Sequence, residues 1–462
     1  MVSRHYRAIR LCLAWALPLA ALGSWPTYRG DSARSGYTAG ELPKELSQDW
    51  VYRAPRPCPA WPSVDSRAGF DRAYHTVISD GLLFFGSSAT GIVYALDAGT
   101  GRDAWSFVTG GPVRLAPAVA GNCVYVVSDD GFLYCLSTKA QEDPGHAPQP
   151  ARHWSLRGGP ADSLVLGNDR LISRWPARGG PVVHDNIVYF AAGIWPSEGV
   201  FIHAVDALTG RKQWCNSESG SRYMAQPHPG AYAASGVSAR GYLALDGKRL
   251  FVPTGRSVPA VFGRATGDFK YFHLGERVNV KTGGSHVLVG DGCFLNGGAA
   301  FDSETGQRLG ALPKSVFPEL AAWTPEQMVW WAGGRIHVGR WEASEGNDRK
   351  GEPVHTRALT EATSFPTPYG GSALIRAGGA VVSAGEWVAS QSGLPQPDMC
   401  PATSNTSLAP KLRPLSGPAG APLRATWDSL QKAPSSSFMP CAPNCFRAAC
   451  AAPPGGRYKF PS

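Results

Sequence analysis

The chain repeats itself with a period near 40 residues, and that self-similarity limits the folds open to it more than any other feature. Gly81, Gly91, Tyr94 and Leu96 recur 40 residues later as Gly121, Gly131, Tyr134 and Leu136. Around them, the apolar run Leu82-Leu83-Phe84-Phe85 is answered by Cys123-Val124-Tyr125-Val126-Val127. The segment Asp97-Ala98-Gly99-Thr100-Gly101-Arg102-Asp103-Ala104-Trp105 returns as Asp206-Ala207-Leu208-Thr209-Gly210-Arg211-Lys212-Gln213-Trp214. A shorter copy stands at Asp302-Ser303-Glu304-Thr305-Gly306, with degenerate ones at Ser137 (Trp154 downstream) and at Gly263-Arg264-Ala265-Thr266-Gly267. Anchors at 97, 137, 206, 263 and 302 are spaced 40, 69, 57 and 39 residues apart.

Each unit has a physical reading. A first strand over Leu82 to Phe85 turns at Ser87 to Gly91 and returns as Ile92 to Leu96. The Asp-x-x-Thr-Gly segment then turns tightly, because Asp can hold backbone amides just ahead of it and Gly accepts a positive φ. A third strand ends at Trp105, whose flat ring can wedge between adjacent sheets. One such sheet cannot bury both of its faces, so units must stack. Short strands, a 40-residue period and a tryptophan per unit predict an all-β chain, a β-propeller of four-stranded blades. The anchors allow six to eight blades and leave open whether the ring is complete or incomplete at its C-terminal end. The 55 glycines and 39 prolines fit many turns and disfavour a helical bundle.

These residues resemble the tryptophan-docking repeats of pyrroloquinoline-quinone-type propellers. They are similar above all to the quinoprotein-like group that includes the outer-membrane protein assembly lipoprotein. The opening Trp25-Pro26-Thr27-Tyr28-Arg29-Gly30-Asp31, with Arg34-Ser35-Gly36, looks like the lead-in of such proteins. The resemblance covers about residues 25–345. It implies either a non-catalytic scaffold with protein or cell-envelope partners, or a quinone-dependent dehydrogenase of alcohols or sugars using PQQ and calcium.

The enzyme reading needs a cation held by carboxylate and amide oxygens, a carboxylate base and a planar pocket. Alcohol-oxidising members of the group also stack the quinone on a disulfide between adjacent cysteines, and this chain has no adjacent cysteines. Asp97, Asp206 and Asp302 already have a turn role. Asp129-Asp130-Gly131 reads as a hairpin turn ahead of a calcium site, and His203 as a packed strand residue. No nucleophile elbow, phosphate loop or His-Glu-x-x-His is present. The sequence therefore names no catalytic, cofactor-binding or metal residue, and favours the scaffold.

The net charge of +9 suggests nucleic acid until it is located. Arg4, Arg7 and Arg10 supply three charges and residues 399–462 supply six, which leaves residues 24–398 neutral and without a nucleic-acid groove. Residues 1–23 read as a secretory signal peptide: a basic start, an apolar Leu11 to Leu22 stretch and a small-x-small Ala21-Leu22-Gly23 site. Arg10 sits where a lipidation site at Cys12 would need a small or apolar residue. No later run is long and apolar enough to span a bilayer. The expectation is a periplasmic or extracellular chain with three parts: the signal peptide (1–23), the propeller (24–398, repeat strongest over 77–310) and a Pro-rich, disordered tail (399–462). That tail holds 11 prolines.

Of ten cysteines, Cys123 and Cys135 fall in strand-like runs. They read either as buried free thiols or as a cross-hairpin disulfide, which an exported compartment permits. The two long repeat spacings mark inserted loops, at residues 157–181 and 216–240. In a propeller such loops gather on one face around the axis. Arg174, Trp175 and Arg178 from the first loop, with His228 and Tyr232 from the second, are the candidate binding residues. Trp175 and Tyr232 would also suit a sugar-binding reading.

Overall fold

The computed structural model describes residues 24–384 and 411–414, apart from 44–47, 62–68, 142–144, 146, 168–169, 227–229, 256, 275–281, 310–311, 313–315, 348–352 and 368–369. The signal-peptide reading and most of the Pro-rich tail lie outside these residues.

The described chain is all-β. Its first sheet contains Val77–Ser79, Leu82–Gly86, Ile92–Asp97 and Asp103–Val108. The second contains Ala118–Ala120, Cys123–Val127, Phe132–Gln141 and Gln149–Arg157. The third contains Gly179–His184, Ile187–Ala192, Phe201–Asp206 and Lys212–Asn216. The fourth contains Ala244–Leu245, Arg249–Val252, Ala260–Gly263 and Phe269–Tyr271. In all four, consecutive strands are antiparallel neighbours, the order of a propeller blade.

A fifth sheet has three strands, Leu288–Gly290, Cys293–Asn296 and Ala299–Asp302. The sixth contains Ala321–Trp323, Met328–Ala332 and a long hairpin, Arg335–Asn347 with Pro353–Pro366. The seventh takes Tyr37–Thr38 from the N-terminal end, in parallel pairing with Ala373–Ala377, and continues through Ala380–Ala384 to Lys411–Pro414. This last sheet therefore draws a strand from beyond residue 398.

Two details of the repeat differ from the expectation. The Leu82–Gly86 strand is second in its sheet, because three-residue Val77–Ser79 pairs ahead of it and is too short to show a pattern. Trp105 lies inside its strand, and the chain runs on to Val108.

Apolar clusters join each sheet to the next. One holds Phe84 and Trp105 with Val124, Tyr125 and Phe190. Others straddle the third and fourth sheets, the fourth and fifth, the fifth and sixth, and the sixth and seventh. This is how half-apolar sheets bury both faces.

The tryptophans lock these contacts at the rim. Trp105 Nε1 donates to the Thr138 carbonyl (2.8 Å), Trp154 to Ala207 (3.1 Å) and Trp214 to Arg264 (3.1 Å). Each acceptor is the residue after the anchor of the following unit. Trp50 does the same toward Ala98 (3.0 Å), and the Tyr271 hydroxyl replaces the indole toward Ser303 (2.9 Å). The turns beneath are built as the residues require. Asp97 Oδ1 accepts from the Thr100 amide and hydroxyl (2.8 and 2.7 Å), and Asp206 repeats this with Thr209 (2.8 and 2.7 Å). Gly210, at φ +68°, lies flat under Trp154, and a Cβ there would sit 2.7 Å from the ring.

The lead-in runs past the innermost strands in order. Trp25 pairs with Ile78 through both backbone groups (2.8 and 2.9 Å), and Pro26 accepts from the Val119 amide (2.7 Å). Ser32 accepts from Leu245, Ala33 from Val289, Ser35 from Trp323 and Gly36 from Arg376, at 2.8–2.9 Å. Arg34 reaches the third sheet through Pro181 O (3.0 Å). One segment thus satisfies inner-edge backbone groups of every sheet, groups that a bare edge would leave open.

Candidate functional site

Antiparallel alternation puts the turns between second and third strands, and the connections from each outer strand to the next sheet, on one side of the sheets. Both inserted loops are such connections, and each contains a β-hairpin. Leu164–Gly167 pairs with Arg170–Ser173, and Arg222–Ala225 with Tyr232–Ser235. Alternation makes each hairpin two-faced. In the first, Ile172 points inward and is buried, while Leu164, Leu166 (76% exposed) and Leu171 share the outward face. In the second, Met224 joins the core and the Arg222 guanidinium lies over Phe269 at 3.7 Å. Its outward face carries Tyr223 (76% exposed) and Tyr232 (60%), their rings 6.0 Å apart.

The residues singled out from sequence divide sharply. Tyr232 is on that open face, whereas His228 lies outside the described residues. Trp175 is buried: its Nε1 donates to Glu198 O (2.6 Å) and its ring meets Phe201 edge-on. Arg174 pairs with the Glu198 carboxylate (2.6 Å). Arg178 is buried in an ion network. Its guanidinium grips Asp129 through both oxygens (2.7 and 2.8 Å), and Asp129 also accepts from Arg114 Nε (2.6 Å). Arg114 reaches on to Asp71 (2.6 Å). Burial alone would push the Asp129 carboxyl upward, but the Arg178 and Arg114 charges outweigh it and hold the group below the ordinary aspartate value. Asp130 fills the turn role expected of the pair, accepting from the Gly110 and Phe132 amides (2.7 and 3.0 Å). Trp61 lies between Arg178 and Arg240, each guanidinium about 5 Å from its ring.

Sequence reasoning missed a second cluster, in which the lead-in meets residues from several sheets. Tyr28 stacks on Tyr242 with ring centroids 3.5 Å apart. The Tyr28 hydroxyl lies 3.1 Å from His286 Nδ1, and the Tyr242 hydroxyl 2.6 Å from His75 Nδ1. Because Tyr242 accepts from the Ala116 amide (3.0 Å), its own proton is free to go to His75, which fits a neutral imidazole. Burial pulls the His75 pKa down to about 3, with repulsion from His286 and Arg29 adding to it, and burial lowers His286 likewise. Arg34, fully buried, donates to Leu243 O (2.8 Å), Thr27 Oγ1 (2.6 Å), Tyr28 O (2.9 Å) and Pro181 O (3.0 Å). Arg29 serves Glu319, Leu374 and Ala321 carbonyls. The only signal in the sequence was the lead-in resemblance itself.

A quinone with its cation does not fit these residues. The Tyr28–Tyr242 stack already occupies its own interplanar space, and Asp71 and Asp129 are committed to arginines. Among the described residues, no group of three His, Cys, Asp or Glu side chains is placed to hold a metal ion. On the opposite side of the sheets a cavity of about 540 Å³ opens between the second and third, lined by Thr27, Asp31, Cys123, Tyr125, His184 and Asn186 among others.

Four-stranded antiparallel sheets, stacked through apolar faces and docked by rim tryptophans, define a β-propeller. Within it, residues 50–172 match the family described as outer membrane protein assembly factor BamB. No curated protein matches the chain in sequence. Among solved structures, BamB from Moraxella catarrhalis aligns at 16% identity over 67% of this chain and 80% of its own, with a TM-score of 0.40. Quinohemoprotein alcohol dehydrogenase from Comamonas testosteroni aligns at 16% identity over 79% and 70%, TM-score 0.48. A europium-containing methanol dehydrogenase aligns at 14% identity over 78% and 82%, TM-score 0.46.

Proposed function

We propose that this chain is an exported, non-catalytic propeller that holds a protein partner in the cell envelope through its two inserted hairpins. The observation that carries this reading is the outward face of the hairpins. Leu164, Leu166, Leu171, Tyr223 and Tyr232 are open to solvent on strands whose other faces are anchored. Exposed apolar side chains on a held platform suit docking, since their burial contributes roughly 25 cal/mol per Å² and little ordering entropy is lost. Envelope localisation is supported by the signal-like N-terminus and by the description of the family matching residues 50–172.

The test places a photo-crosslinking residue at Leu166 or Tyr223 in the producing cell. The expected result is one envelope protein crosslinked at both positions, with yield lost when the neighbouring Leu171 or Tyr232 is changed to Ser. Equal crosslinking from Leu208, an exposed residue outside both hairpins, would refute the assignment. The quinone alternative has its own measurement: titration of the folded protein with pyrroloquinoline quinone, with and without calcium. The expected result is no saturable quenching of tryptophan fluorescence. Calcium-dependent saturation would instead favour a dehydrogenase.

A further inference from the structure

Cys123 and Cys135 lie on neighbouring strands of the second sheet, where Cys123 stands opposite Ser137 and Cys135 opposite Tyr125. That register puts both side chains on one face, two residues out of step, as diagonal neighbours. Both are free thiols. Their access differs: Cys123 lines the 540 Å³ cavity, whereas Cys135 is fully enclosed. We propose that these two residues form a reversible cross-strand disulfide, made by exchange with a small disulfide that enters the cavity.

The asymmetry fixes the order of events. The Cys123 thiolate attacks one sulfur of the incoming disulfide, forms a mixed disulfide and releases one thiolate. The Cys135 thiolate then attacks the Cys123 sulfur, closes the protein bond and releases the second. Two thiol protons leave the protein and end on the two released thiolates, so the small disulfide is reduced as the protein is oxidised. Burial raises the Cys135 thiol above its ordinary pKa, which makes closure the slower, base-favoured step. Diagonal neighbours in a sheet sit about 7–8 Å apart, beyond the roughly 4.4–6.8 Å usual across a disulfide, so the bond forms only as the backbone of the two strands moves. The bond therefore pulls the strands together and stays easily reducible.

The test uses the intact reduced protein, incubated with oxidised glutathione and cleaved without reductant after the aromatic residues between the two cysteines (Tyr125, Phe132 and Tyr134). The expected result is loss of two titratable thiols, a mass lower by two hydrogens, and fragments joined through Cys123 and Cys135. Oxidation should accelerate as pH rises. Cys135→Ala should retain glutathione on Cys123, and Cys123→Ala should leave Cys135 unreacted. Unchanged tryptophan fluorescence checks that the reacting protein is folded. Glutathione left on Cys123 in the wild type, a bond from Cys135 to another cysteine, or both thiols surviving in folded protein would each overturn the proposal.

Discussion

His75 shows how much an enclosed imidazole costs in acid. In the unfolded chain it takes up a proton near pH 6.5, whereas in the fold burial defers this to about pH 3. Between those values the unfolded state binds more protons, so stability falls as pH drops through the window. His286, and His203 at about 4, are shifted in the same direction, each mainly by burial. Denaturant midpoints should therefore decline steadily from about pH 6.5 downward. His75→Gln keeps an acceptor for Tyr242 without titrating, and should reduce the slope by about 1.4 kcal/mol per pH unit. An unchanged slope would mean that His75 is already protonated in the fold. Asp129 works from the other side. Its lowered pKa contributes stability that is present above about pH 3.9 and is lost as pH falls through the folded value. Arg178→Ala leaves that carboxylate half-paired in the interior, and should cost about 3–5 kcal/mol in equilibrium unfolding.

At the scale of elements, stability resides in how one sheet's outer strand grips the next sheet's turn. Trp154→Phe keeps a ring over Gly210 but loses the hydrogen bond to Ala207, worth about 1 kcal/mol, and a smaller part of the indole's packing. Trp154→Ala opens a gap between the second and third sheets and should cost about 3–5 kcal/mol. Gly210→Ala should be destabilising as well, because the added methyl meets both a positive φ and the indole. Thermal or urea unfolding of the three variants gives the ranking. If Trp154→Phe were as damaging as Trp154→Ala, the hydrogen bond rather than the packing would carry the contact.

This grip was legible in the sequence because it repeats: Asp, Thr, Gly and Trp recur at fixed offsets in successive units, although the contacts they make span 33 to 53 residues. What stayed hidden does not repeat. Arg174, Trp175 and Arg178 looked available because polar and glycine-rich neighbours surround them. Their partners Glu198 and Asp129 lie 24 and 49 residues away, at separations that no spacing rule connects. Tyr232 was found as an aromatic residue in an insertion. Tyr223 and the leucines at 164, 166 and 171 were missed, since only pairing within each hairpin puts them on one face.

For the whole molecule, the lead-in decides whether separate sheets behave as one fold. Its backbone meets the inner strands of six sheets, Arg34 reaches the remaining one, and Tyr37–Thr38 is itself a strand of the last. Arg34 is buried without a carboxylate in its direct hydrogen bonds. Burial lowers its pKa to about 10, so it remains charged at neutral pH, held by oxygens from its own segment and from Leu243 and Pro181. Removing residues 1–38 would therefore leave Leu245, Val289, Trp323 and Arg376 amides without acceptors, and would strip the last sheet of its inner strand. The truncated chain should unfold at a lower temperature over a broader transition, as stacked sheets lose their common tie. A synthetic peptide of residues 24–39 should restore the midpoint in a concentration-dependent way, as binding linked to folding requires. The same peptide with Arg34→Ala should restore much less, because the carbonyls of Leu243 and Pro181 then stay buried without a donor. Calorimetry with and without the two peptides separates the outcomes. A truncated chain that melts like the intact one would show that the sheets hold together without the strap.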